Sequence, residues 1–241
     1  MRFPRVVAFA LFWLAAAAVQ AQTLPVEYAT FMSHGKAVSC AVYDAHDATA
    51  TIVFLRGSGP SDLAFGRMEA RFFAEHGFRV FLVDYLTVTP TVEPTPANYR
   101  RWGQAVEDIV VDLHSRPVPR ARRIALIGQG VGASVALLAG SRKLGIDAIA
   151  EWSGLLPNQF FSQVQSLPPL LILHGEQDKQ VPIVNARQLV RLCELKDFTC
   201  EAGFYPDEGH AFSSKAIESA NQRVLAFFRT YLWASLPTKA E

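Results

Sequence analysis

Four short segments carry residues that could do chemistry. Asp178 lies between His174-Gly175-Glu176-Gln177 and Lys179-Gln180-Val181-Pro182, and His210 stands in Glu208-Gly209-His210-Ala211-Phe212. A carboxylate that accepts from one imidazole nitrogen fixes the tautomer and orientation of the ring. The other nitrogen can then take a proton from a nucleophile within reach. Singly, each has a plainer reading, Asp178 as a helix-capping residue and His210 as a loop hydrogen-bonder. A third segment, Gly128-Gln129-Gly130-Val131-Gly132-Ala133-Ser134, follows the apolar run Ile124–Ile127. Its small residues allow a tight turn and close packing of a helix on a strand. It also superficially suggests a dinucleotide loop of the form Gly-x-Gly-x-x-Gly. Ala at position 133, the late place in the chain and the lack of a clear acidic strand end beyond Glu151 count against that. The fourth, Arg56-Gly57-Ser58-Gly59-Pro60, brings a cation and a hydroxyl to a strand end. Arg56 could hold an anion or pair with an acidic neighbour.

The elements that must position these residues follow from hydrophobic period. Apolar runs at Thr51–Leu55, Arg79–Val83, Ile124–Ile127, Ala148–Trp152, Leu170–Leu173 and Thr199–Tyr205 are mostly apolar on both faces, as in parallel strands covered by helices. Between them the spacing predicts helices over Gly66–His76, Asn98–Arg116, Val131–Lys143, Ile183–Glu194 and Ser213–Trp233, with stops at Gly77, Pro117 and Gly145. This alternation predicts an α/β fold built on a mostly parallel, doubly wound sheet flanked by helices. Val26–Val42 is expected to add antiparallel strands at one edge. The Pro-rich stretch Thr87–Pro96 is read either as a cleft wall or as a surface connection.

Composition bounds the rest. Of 241 residues 50% are hydrophobic and 19% charged, a globular balance. The formal net charge of +1 gives no basic excess that would point to nucleic acid. Met1–Arg5 carries two arginines, Val6–Val19 is uncharged and apolar, and Val19-Gln20-Ala21 puts small residues before a cut ahead of Gln22. Residues 1–21 are therefore expected to be a signal peptide of an exported, periplasmic or secreted protein, leaving 22–241 as one domain. The apolar run is too short for the roughly 20 residues of a bilayer span, so no membrane association is expected after cleavage. In an oxidising compartment Cys193 and Cys200 are expected to pair, leaving Cys40 as a small core residue. No histidine or cysteine spacing suggests a metal, and nothing in the sequence points to a particular protein partner.

The glycine-bracketed turn, the strand ending in His174-Gly175 with Asp178 and Val181-Pro182 beyond it, and the loop of His210, in that chain order, resemble the α/β-hydrolases. The short layout is most similar to their dienelactone hydrolase branch, and the resemblance spans Thr51–Trp233. It implies hydrolysis of esters, lactones or related acyl compounds without a cofactor, with Asp178 as acid and His210 as base. The backbone amides of Ser58 and Val131 would form the oxyanion hole. Gly128 and Gly132 fall on the flanking glycine positions. Gly130 falls between them, where the family carries Ser, Cys or Asp, and Arg56 stands where the family commonly has His. Glycine has no side chain, so acyl-enzyme chemistry cannot start from residue 130. Ser134 lies one helical turn further on and is expected to point into helix packing. Asp84, Tyr85, Glu151, Trp152 and Ser153 are expected around the same cleft, Glu151 also as a second acid.

Three functional expectations follow. One is a degenerate hydrolase, a pseudoenzyme that keeps its cleft for binding or for a role in assembly. Another is an acyl hydrolase in which Asp178 and His210 activate water or Ser58 substitutes as nucleophile. The last is a periplasmic binding protein for an anionic small molecule held by Arg56 and the amides at a helix N-terminus.

Overall fold

The structure is a computed structural model and describes residues 24–45, 47–48, 50–116 and 123–233. The expected signal peptide, 1–21, lies outside the described residues. Eight strands form one sheet: β1 (Val26–Ser33), β2 (Lys36–Asp44), β3 (Ala50–Leu55), β4 (Phe78–Val83), β5 (Ile124–Gln129), β6 (Ile146–Trp152), β7 (Leu170–Gly175) and β8 (Cys200–Tyr205). Their order is β1-β2-β4-β3-β5-β6-β7-β8. The β1–β2 and β2–β4 pairs are antiparallel and the rest parallel. The expected α/β architecture with an antiparallel edge is thus the one observed.

Successive side chains of a strand point to opposite faces, and the central strands bury both. Val53 and Leu55 of β3, Ile124 and Leu126 of β5, and Leu170 and Ile172 of β7 belong to one core, under α2 (Pro96–Ser115), α3 (Val131–Gly140) and α4 (Val184–Lys196). Ile52 and Phe54, Ala125 and Ile127, and Leu171 and Leu173 belong to the other, under α1 (Asp62–Glu75) and α5 (Ser214–Trp233). Apolar runs without alternation are what such a doubly covered sheet requires. Two observed helix ends differ by three or more residues from those read from the sequence. α1 begins at Asp62, four residues before Gly66, because the chain turns at Gly59–Asp62 and the Asp62 carboxylate accepts from the Gly59 amide at 2.7 Å. α3 ends at Gly140 rather than Lys143, where Ser141 and Arg142 close the last turn on Leu137 and Ala139.

The Thr87–Pro96 stretch is mostly a connection. Thr95 caps α2 by accepting from the Asn98 amide, and Thr89 accepts from the Trp102 indole. From this stretch only Pro94 reaches the cavity described below. Buried ionisable groups include Cys40 and Glu69. Cys40 is buried and burial pushes its thiol up to about 12, so it behaves as a small apolar residue. Glu69 of α1 is fully buried, and burial pushes its carboxyl up to about 7 against the smaller opposing effect of Asn221.

Cys193 in α4 and Cys200 at the start of β8 form a disulfide, with Cα atoms 6.2 Å apart. The bridge ties α4 to the edge strand across the short Asp197–Thr199 turn. Closing a loop this short restricts the unfolded chain by about 2.5 kcal/mol in the chain-entropy account. The double replacement Cys193→Ser/Cys200→Ser is expected to lower the unfolding free energy by about 2 kcal/mol, read from urea denaturation without reductant. An unchanged midpoint would show that the bridge does not stabilise this edge.

Candidate active site

The site is built at the C-terminal ends of the parallel strands, where β5 turns into α3. Gly130 caps α3 with φ +54 and ψ −117, a left-handed conformation, while its amide still donates to the Trp152 carbonyl at 2.8 Å. The two glycines around it are forced by packing. A Cβ at Gly128 would stand 2.5 Å from the Gly132 oxygen and from Ala133 Cα, and one at Gly132 would run into the Leu55 carbonyl of β3. At Gly130 there is space: the nearest atom to a Cβ would be His210 Nε2 at 3.6 Å. Residue 130 is thus a position where the backbone strains and the volume invites a side chain.

His210 faces that position from the loop between β8 and α5. Its Nδ1 donates to Asp178 Oδ2 at 2.9 Å, which leaves Nε2 directed toward Gly130 as the proton acceptor. Asp178 is buried, and its other oxygen accepts from the amides of Gln180 and Val181, both at 2.8 Å. The acid is therefore held by its own loop independently of the histidine. The His210 loop is held from two sides. Gln177 N donates to the Glu208 carbonyl, and the Ser153 hydroxyl donates to the His210 carbonyl at 3.2 Å. Glu208 in turn accepts from the amide and hydroxyl of Ser213, both at 2.6 Å, which draws its carboxyl below its ordinary value.

His174 is completely buried. Its Nε2 donates to the Val181 carbonyl at 2.7 Å and lies 3.4 Å from Asp178 Oδ2, while burial pulls its pKa below 6.5. It braces the Asp178 loop. Ser134 also packs as expected, buried in α3 with its hydroxyl on the Leu155 carbonyl.

A cavity of about 700 Å³ opens over this turn. Gly130, His210, Ser58 and Val131 all line it, and no group among the described residues takes up the Ser58 or Val131 amide. Among the strand-end residues expected at the cleft, Trp152 and Ser153 are on the wall; Asp84, Tyr85 and Glu151 are not. Arg56 requires a correction. It does not line the cavity, because its guanidinium is taken up by Asp84 on the neighbouring strand end at 2.9 Å and by the Gly57 carbonyl. The ion pair is the outcome of the two readings open for it, and the anion-binding role loses its cation.

Glu151 also departs from its reading as a second acid. It is fully buried beneath the turn, accepts from the Gly154 amide at 2.9 Å, and burial pushes it up to about 8. Sequence reasoning missed Asp62, which lies on the cavity wall beside Gly57, Gly59 and Gln129. Its only signal was an acidic residue just before a helix, which reads as a cap. Among the described residues no group of three or more His, Cys, Asp or Glu side chains is arranged to hold a metal ion. No helix among them is long and apolar enough to cross a membrane.

The family model of the dienelactone hydrolase family matches residues 67–232. The chain belongs to the dienelactone hydrolase family. No curated protein matches it in sequence. Among solved structures, an esterase from Pyrococcus furiosus is similar over 95% of this chain and 97% of its own, with a TM-score of 0.72 and 16% identity. A dienelactone hydrolase from Anabaena variabilis is similar over 87% and 99%, with a TM-score of 0.71 and 16% identity. A dienelactone hydrolase-like promiscuous phosphotriesterase from metagenomic libraries covers the same shares at a TM-score of 0.70 and 15% identity. At these identities the likeness is one of fold.

Glu151 makes stability depend on pH. The folded protein keeps this proton up to about pH 8, whereas a carboxyl of ordinary pKa 4.5 loses it earlier. Between those values the folded state binds more protons than the unfolded state, so stability falls as pH rises. Glu69 acts with the same sign over a narrower window, up to about 7. Glu151→Gln is expected to reduce, without abolishing, the loss of stability between pH 5 and pH 8 in urea denaturation. An unaltered slope would mean that Glu151 is ionised in the folded state.

Proposed function

We propose that this chain is an exported member of the dienelactone hydrolase family that forms no acyl-enzyme and keeps its cleft as a binding site for a small molecule. The observation that carries the reading is at Gly130. His210 Nε2 is aimed at the space in front of it, and the residue offers no atom to be deprotonated. Export is supported by the leader-like residues 1–21 and by the Cys193–Cys200 disulfide, a bond that persists in oxidising compartments.

A second reading, direct hydrolysis by an activated water, is favoured by the intact Asp178–His210 pair and by the untaken amides of Ser58 and Val131. A hydrolase triad stripped of one member retains only about 10³ to 10⁴-fold acceleration over uncatalysed water attack. Turnover by this route would therefore be weak.

The test is an assay of p-nitrophenyl esters and small lactones with wild type, His210→Ala, Ser58→Ala and Gly130→Ser. The expected outcome is an inert wild type and a Gly130→Ser variant that gains ester turnover and fluorophosphonate labelling. That variant is expected to lose about 1 kcal/mol of stability, because a side chain is forced into the left-handed region. Wild-type turnover that is lost in His210→Ala without any labelling would replace the binding reading with the water-activating one. Turnover with labelling, lost in Ser58→Ala, would make Ser58 the nucleophile.

A further inference from the structure

The cavity has an electrostatic character that the catalytic groups do not explain. Asp62 is the one carboxylate on its wall, and neither Lys nor Arg lines it among the described residues. The guanidinium of Arg56, the residue before Gly57, is paired with Asp84. A second negative group, Asp178, stands behind His210. Asp62 Oδ2 is held by the Gly59 amide at 2.7 Å, and Oδ1 lies 3.5 Å from the Gln129 side-chain nitrogen. A carboxylate has about four acceptor positions, so two contacts leave capacity for a donor from the cavity. Around it the wall is aromatic: Phe65 and Trp152 meet edge to face with ring centroids 5.6 Å apart, and Phe212 lies on the same cavity.

We propose that the cleft takes a protonated organic amine with an apolar body, its ammonium group on Asp62 and its body against Phe65, Trp152 and Phe212. The inference rests on the binding reading and names the ligand class of that site. A carboxylate in a recessed, low-dielectric cleft focuses a negative potential that concentrates cations and repels carboxylates. Aromatic faces add attraction for the same charge. An ammonium group supplies the donors that Asp62 can still accept, whereas a carboxylate ligand would supply none. The same placement opposes the development of an oxyanion at the Ser58 amide, because Asp62 also lies against Gly57 and Gly59.

The test is a charge series on one body shape, by isothermal titration calorimetry with the purified protein at low salt: 2-phenylethylammonium, 2-phenylethanol and phenylacetate. The expected result is that the ammonium probe binds about tenfold or more tightly than the alcohol, as a charge-assisted hydrogen bond provides, and that phenylacetate binds more weakly than either. Asp62→Asn keeps an oxygen for the Gly59 amide, and it should bring the ammonium-to-alcohol ratio close to one. Should that variant not fold, the wild-type charge series decides by itself. If the alcohol or phenylacetate binds wild type as tightly as the ammonium probe, or if Asp62→Asn keeps the preference, the inference is overturned while the binding reading stands. If no probe binds at millimolar concentration and wild type turns over esters, the binding reading falls and takes the inference with it. If no probe binds and no ester is turned over, the inference is likewise overturned.

Discussion

The arrangement of this site depends on a steric constraint: the N-terminus of α3 lies so close to β3 and β5 that residues 128 and 132 cannot carry side chains. A Cβ on Gly132 would enter the Leu55 carbonyl, and one on Gly128 would meet the backbone of the first helical turn. That contact sets the sharp turn at residue 130, puts the Val131 amide at the head of a helix, and brings it to the same cavity as Ser58 at the end of β3. A turn held this tightly is what an activated side chain would need. Here the residue at the turn is Gly130.

The proton-handling groups are built separately. Asp178 is bound by the amides of its own loop, His174 ties that loop down from within the core, and the His210 loop is fixed through Ser153, Gln177 and the Glu208–Ser213 contacts. None of these bonds passes through residue 130. The Asp178–His210 pair is therefore held whether or not residue 130 carries a side chain, which is why Gly130 and an ordered dyad coexist in one cleft. The burial of Glu151 behind the turn belongs to the same packing, since its partner is the Gly154 amide rather than His210.

Much of the fold was legible because its strands are buried on both faces. Thr51–Leu55, Ile124–Ile127 and Leu170–Leu173 are apolar without alternation, and each became a central parallel strand within one or two residues of its expected limits. Helix ends were less legible where a side chain folds back on its own turn. The start of α1 is set by Asp62 folding back on Gly59, which its sequence neighbours do not announce. The pairing of Cys193 with Cys200 was legible from their proximity together with the expected oxidising compartment, and Ser134 from its helical offset to the turn.

Within the site, the sequence by itself determined the residue types and their order: two obligatory glycines around Gly130, then Asp178, then His210. Each of these signals lies in a turn or loop of a few residues, although the contact that forbids a side chain at Gly132 comes from Leu55 of β3. Only the tertiary structure decided the electrostatics of the cleft. Arg56 and Asp84 are separated by 28 positions, and Asp62 and Gln129 by 67. Strand order puts β4 on one side of β3, so that Arg56 is neutralised at their ends, and β5 on the other, so that Gln129 at its end meets Asp62 on the cavity wall. Charge acts through space, and the distances that set it exist only once the sheet is assembled.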